Sequence, residues 1–412
     1  MSAPPVPFLP VYFAFAAGYL LSYLLRTVNA VISPELTREL ALSSGSLGLL
    51  TSAYFIAFAA MQIPAGMLLD RYGPRRVEPA LLLFCGIGTL AFALADGVTG
   101  LLIARALIGL GVAVCLMAPL KAVSAWYPPE RQASLASWVM AAGGIGALAA
   151  TTPVELALRF TTWRGVFVVL SLFAFGIAAW IWWRVPDMQQ AAAGGGVVAQ
   201  WAGVRTIFRN RRFWWIAPLG SFGMGSFMSI QGLWSVPWLM EINGYDRATA
   251  ARHLLLMSAL ILAGYVILGM LATRLARRGL HPRHLFAGGF ALNALALAAI
   301  VLQWPGTYTW WALYGFGAAV NILGYPILGE GFPKELAARA STALNLLMFV
   351  GSFAAQWGIG LIIDATRGHG QTGSGVGLRT AFAVVLACHV LTYVWFLAGW
   401  RRHAVHRGAG AG

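Results

Sequence analysis

Gly66-Met67-Leu68-Leu69-Asp70-Arg71-Tyr72-Gly73-Pro74-Arg75-Arg76 joins two long apolar segments. The chain as a whole is 59% hydrophobic and 10% charged, yet this loop gathers Asp70, Arg71, Arg75 and Arg76 around two glycines. A soluble protein carries about 25% charged residues, so most of this chain's surface faces something other than water. A weaker echo, Gly269-Met270-Leu271-Ala272-Thr273-Arg274-Leu275-Ala276-Arg277-Arg278-Gly279, begins 203 positions later. A charged, glycine-bounded loop that recurs between apolar helices points to a duplicated membrane protein.

Working outward from the loop, apolar stretches of spanning length fall near 9–32, 47–69, 78–95, 100–125, 135–157, 165–184, 214–241, 249–273, 285–303, 309–331, 340–364 and 378–400. A span needs about 20 apolar residues, so the expected fold is an all-α membrane protein of twelve transmembrane helices. The first stretch, from about Phe8 to Ile32, is too long for a signal-peptide core and reads as the first span. The longest polar interruption, 185–213, divides the spans six and six and is expected to be a cytoplasmic linker. It holds Gly194-Gly195-Gly196, the basic cluster Arg205 to Arg212 and, around Trp201–Phe208, a candidate amphipathic helix on the inner leaflet. The expected domains are therefore 1–184 and 214–400, two pseudo-symmetric six-helix bundles, with a tail over 401–412.

The net charge of +15 does not form a nucleic-acid surface, because the arginines punctuate apolar segments. Most of them, including Arg71, Arg75, Arg76, Arg131, Arg184 and Arg205, lie on the face shared with the termini. The positive-inside rule then places both termini in the cytoplasm of a multi-pass inner-membrane protein. Cys85, Cys115 and Cys388 sit inside apolar runs and support neither a disulfide framework nor a metal motif. No nucleophile constellation, nucleotide loop or cofactor motif occurs, so neither an enzyme nor ATP-driven transport is expected. The halves repeat further: Pro34 and Pro237 share the same offset as the loops, and Tyr127-Pro128-Pro129-Glu130 has a counterpart in Phe332-Pro333-Lys334-Glu335. Such internal repeats are common in secondary transporters.

The quoted loop resembles the signature loop between the second and third helices of the major facilitator superfamily. Arg105-Ala106-Leu107-Ile108-Gly109-Leu110-Gly111 is similar to that family's fourth-helix motif, and Trp163-Arg164-Gly165-Val166-Phe167 to the segment entering its sixth helix. The resemblance covers the whole chain. It implies a rocker-switch transporter with two six-helix bundles around a central cavity. It also implies a gating latch in which Asp70 meets a helix N-terminus of the opposite half. Arg71, Arg75 and Arg76 would build the charge network there, Gly66 and Gly73 would permit close helix approach, and Arg105 would hold a packing and relay position. In the echo, Thr273 stands where the aspartate would be, so the second latch reads as degenerate.

Arg26 is the charge that the membrane makes expensive. It shares a helix face with Tyr19 and Tyr23, with Asn29 beside it and Pro34 eight residues on. The Arg26…Pro34 spacing resembles the first helix of organophosphate:phosphate antiporters and organic-anion:proton symporters, where the arginine binds a phosphate or carboxylate. A guanidinium makes bidentate bonds to either group. Two departures limit the likeness: the position matching a second, seventh-helix arginine is Ser229, and the usual acid before the first-helix arginine is Leu25. Lys121 is a candidate second cation for the substrate or a snorkelling residue. Glu155 reads as the only acid well inside a span of the first half, either a weak candidate for proton coupling or a partner of Arg159. Gln231, Trp234, Asn321, Tyr325 and Asn345 are candidate uncharged substrate contacts from the second half, with Asn293 and Gln356 as further polar groups within spans.

The resulting expectation is a secondary transporter of a small organic anion, a carboxylate or sugar phosphate, driven by protons or by exchange. Its partners are the anion, the bilayer and, in the coupled case, protons. The alternatives are a drug or siderophore exporter of the same fold and a non-transporting membrane sensor. An exporter for cations would need an intramembrane acid in the first half.

Overall fold

The computed structural model describes residues 8–127, 129–187, 205–278, 281–330, 332–368 and 374–408. Residues 188–204 of the expected linker, including the start of its candidate amphipathic helix, lie outside them, as do the side chains of the second-half echo from Leu271 to Arg277. Residues 205–209, which overlap the end of that candidate, are helical.

A single residue separates α3 (Ser44–Tyr72) from α4 (Pro74–Leu94). Gly73 has φ +76° and ψ 163°, and its N–H donates to the Leu69 carbonyl at 3.0 Å. A side chain is strained in that backbone region, which is why glycine stands there. Pro74 follows at the first helical position, where its missing N–H costs nothing. The far end of α3 is capped by Ser43, whose Oγ accepts the Ser46 N–H at 3.1 Å.

The described residues are predominantly helical, with no strand among them. Among the described residues eight helices are long and apolar enough to cross a membrane, or nine if the pair α1 (Phe8–Thr27) and α2 (Asn29–Leu40), bent by 43°, is one span. The chain divides into two compact units, Met1–Val197 and Val198–Gly412.

In the first unit the helices continue as α5 (Val98–Gly111), α6 (Met117–Trp126), α7 (Pro129–Ala149), α8 (Thr152–Ala157) and α9 (Trp163–Arg184). Glycines bring them together. A Cβ on Gly109 of α5 would strike the Tyr54 backbone of α3, one on Gly111 the Cys85 backbone of α4, and one on Gly146 of α7 the Leu20 carbonyl of α1. Small residues at crossing points are the usual currency of helix packing in lipid. On the α4–α9 side, Phe92 stacks on Phe167 at 4.4 Å, and Ser171 donates to the Gly86 carbonyl at 3.0 Å. Outward-facing Leu172, Phe173 and Trp183 are exposed, as lipid-facing side chains are.

The second unit uses the same devices. Trp215 stacks on Phe396 and donates its indole N–H to the Phe396 carbonyl at 2.7 Å. Gly225 would meet the backbone at Gly351 and Ser352 if it carried a Cβ. Two of its apolar stretches are interrupted. Arg211–Ser229 passes through a π-helical turn, Ile230–Trp234, before Ser235–Glu241, and Thr307–Ala318 passes through a 3₁₀ turn, Ala319–Leu323, before Gly324–Gly329.

One sequence expectation is corrected here. Glu155 is not the only acid well inside a span of the first half. α4 begins at Pro74 rather than near residue 78, which draws Glu78 from the edge of the expected span into the helix, where it is fully buried.

Candidate functional site

Arg26 lies one residue before the end of α1, buried, with its guanidinium among aromatic rings. Its Cζ stands 4.4 Å from the Tyr23 ring centroid, 5.4 Å from Phe58 and 5.9 Å from Tyr54. Such distances place a cation over the negative face of a ring. Tyr19 meets Tyr23 edge to face at 5.2 Å, and its hydroxyl donates to the Met140 sulfur of α7 at 3.6 Å. The Tyr54 hydroxyl donates to the Ser22 carbonyl at 3.3 Å and so ties α3 to α1.

Three helices build this box. α1 supplies Tyr19, Tyr23 and Arg26 on one face, and α3 supplies Tyr54 and Phe58 one turn apart. α7 makes the room: a Cβ on Gly143 would meet the Tyr19 ring at 2.5 Å and the Tyr23 ring at 2.9 Å. From α5, Arg105 donates to the Leu25 carbonyl at 2.9 Å, beside the box, with its own guanidinium 4.7 Å from Phe92 and 5.3 Å from Phe167. Arg105 thus secures the backbone immediately before Arg26. Tyr54 and Phe58 escaped sequence reasoning. Their signal was an i, i+4 aromatic pair on the second span, but nothing local shows which residue such a pair faces.

Lys121 is engaged at the Gly66–Arg76 loop. Its Nζ donates to Asp70 Oδ1 at 2.5 Å and to the Leu69 carbonyl at 2.8 Å, near the C-terminal end of α3. A cation is favoured at that pole of a helix. Arg75 and Arg76 both pair with Asp187, each at 3.2 Å, and Arg71 lies over the Tyr72 ring at 5.2 Å. Gly73 makes the turn, whereas a Cβ on Gly66 would meet nothing within 4 Å. Glu155 of α8 is buried and pairs with Arg159 at 3.4 Å.

In the second unit, Asn321, Tyr325 and Asn345 come together around Met348. Tyr325 donates to Asn345 Oδ1 at 3.2 Å and to the Met348 sulfur at 3.6 Å, and Asn321 Nδ2 lies 3.5 Å from that sulfur. Gln231, in the π-helical turn, donates instead to the Ser258 hydroxyl at 3.0 Å, and the Trp234 indole donates to the Gln356 carbonyl at 3.0 Å. π-turns recur at functional positions in helices. Asn293 donates to the Tyr314 carbonyl at 2.7 Å, a bond between neighbouring helices. Among the described residues no group of three His, Cys, Asp or Glu side chains is placed to hold a metal ion.

Comparison with known proteins narrows what this arrangement serves. The family model described as Major Facilitator Superfamily matches residues 15–356. A probable sulfoacetate transporter of Cupriavidus necator is 27% identical over 71% of this chain and 70% of its own length. A probable L-galactonate transporter of Escherichia coli is 25% identical over 86% of this chain and 82% of its own length. Among solved structures, a bacterial homologue of the human lysosomal transporter Spinster, inward-facing and unoccupied, superposes with a TM-score of 0.77 at 19% identity. That match covers 97% of this chain and 98% of the other, and it bears on the fold.

Proposed function

Because the chain belongs to the Major Facilitator Superfamily, a family of transporters and not of enzymes, we propose that it moves a small organic anion across the membrane by alternating access. The anion is a carboxylate or sugar phosphate, and the driving force is a proton gradient or exchange. The observation that carries this reading is the buried Arg26 guanidinium in its aromatic box. A fixed cation within a membrane helix is expensive and functional by default, and a guanidinium reads a carboxylate or phosphate through paired hydrogen bonds. The names of the relatives, a sulfoacetate and an L-galactonate transporter, support an acidic organic substrate.

On this reading the interrupted helices pair into full spans. α1 with α2, α5 with α6, and α7 with α8 complete six in the first half, and 211–241 and 307–329 complete six in the second. Tyr19, Tyr23 and Arg26 contact substrate from the first half. The second half offers Asn321, Tyr325 and Asn345 as its own candidate substrate contacts, with Gln231 and Trp234 supporting the π-turn. Lys121 belongs with Asp70, Arg71, Gly73, Arg75 and Arg76 in a gating loop, because its ammonium is already bound there. Arg105 positions α1.

The test is uptake of L-galactonate and of sulfoacetate into proteoliposomes at unsaturating concentration. A hydrogen bond to a charged group contributes about 1.5–3 kcal/mol, so Arg26→Ala is expected to lower uptake by about tenfold or more. Arg26→Lys, which keeps the charge and loses the planar fork, should recover only part of it. Uptake by R26A equal to wild type overturns the anion site.

A further inference from the structure

We propose that Glu78 is the proton-binding site of this transporter. The inference deepens the transport reading and rests on it for its physiological meaning.

Glu78 lies in the second turn of α4 and is fully buried, and among the described residues no N–H or O–H donor reaches either carboxyl oxygen. The space it occupies exists because residue 18 is glycine. A Cβ on Gly18 of α1 would meet Glu78 Oε1 at 2.6 Å and Cys115 Sγ at 3.9 Å. Cys115 belongs to the non-helical link between α5 and α6. Its thiol, a weak donor, is the titratable group that faces the carboxyl.

The charged groups on the surrounding helices turn to other partners or stand at helix ends. On α1, Arg26 sits in the aromatic box; on α5, Arg105 donates to Leu25. On α6, Lys121 pairs with Asp70 of α3, and Arg71 ends that helix against Tyr72. On α9, Arg164 pairs with Glu39 and Asp96 at one end, and Arg184 closes the other. On α4 itself, Arg75 and Arg76 turn to Asp187.

An ionised carboxylate has nothing in this enclosure to replace its hydration, whereas the neutral acid needs little. An intramembrane acid so placed is a candidate proton carrier rather than a structural ion. Its position suits coupling. Gly18 and Arg26 share α1, eight residues and roughly 12 Å apart at 1.5 Å per residue, and Cys115 lies within electrostatic reach of both Glu78 and Arg26. The step is a proton transfer alone. The carboxylate takes H⁺ from water admitted on one side, forming its O–H bond, and returns it to water on the other. No electrons move, and one proton crosses with each anion.

The experiment uses the full chain in proteoliposomes, with L-galactonate and sulfoacetate as probes. E78Q is expected to lose accumulation driven by an imposed pH gradient while keeping counterflow exchange against preloaded probe. Gradient-driven accumulation by E78Q equal to wild type overturns the proposal. A substrate-free measurement runs alongside: infrared spectra of the purified protein in H₂O and D₂O at neutral pH. A protonated-carboxyl C=O stretch present in wild type and missing in E78Q supports the assignment, and an unchanged band overturns it. If E78Q does not fold, G18A should shift that band, because its methyl meets the carboxyl oxygen, and an unshifted band overturns the proposal. If wild type moves neither probe in either assay, the transport reading fails while the infrared band still decides Glu78.

Discussion

At the scale of single residues, Arg26 and Lys121 show two ways of keeping a cation in an apolar chain. An intramembrane arginine costs about 2.5–3.5 kcal/mol on insertion scales, and each aromatic face returns about 0.5–2 kcal/mol, so the Arg26 box offsets much of its own cost. Lys121 is offset by a carboxylate and a helix-end carbonyl. Asp70 is about half exposed, so the pair contributes at most about 1 kcal/mol. In a double-mutant cycle of D70N and K121M, followed by chemical unfolding, a coupling of that size is expected, with the charge-exchanged variant D70K/K121D recovering part of it. Additive single effects would remove the pair. The face of α1 bearing Tyr19, Tyr23 and Arg26 was legible from helical spacing. Tyr54, Phe58 and the Asp70–Lys121 pair were not, because those partners lie on other helices and no local pattern reports a distant neighbour.

At the scale of elements, glycines decide which helices touch, and they differ in what they touch. Gly109 faces the Tyr54 backbone, which cannot move without bending α3. Gly143 faces two tyrosine rings, which can. Gly109→Ala is therefore expected to cut the yield of monodisperse protein in gel filtration. Gly143→Ala should fold, displace the rings beside Arg26 and raise the apparent KM for L-galactonate by severalfold. The opposite pattern, with G143A unfolded and G109A unaffected, would refute this division. Gly73 was expected to permit close helix approach and instead makes the one-residue turn into α4, with Pro74 at its first position. The breaks at Ile230–Trp234 and Ala319–Leu323 were not legible in the sequence, since their apolar composition matches that of ordinary helix.

At the scale of the whole molecule, the distribution of arginine predicts topology. An alkaline phosphatase fused after Arg402 should be inactive and a fluorescent protein there should fluoresce, whereas phosphatase inserted between Glu241 and Arg247 should be active; the reverse pattern would overturn cytoplasmic termini. The membrane class, the helical composition and the charged loop around Gly73 were legible along the chain. Each depends on composition, periodicity or local backbone preference, all of which are written along one dimension. The enclosure of Glu78, the closing of Tyr54 and Phe58 around Arg26, and the pairing of Lys121 with Asp70 emerge in three dimensions alone. Burial and pairing depend on which face of a helix meets which neighbour, and a glycine in the sequence does not name the atom that will fill its space.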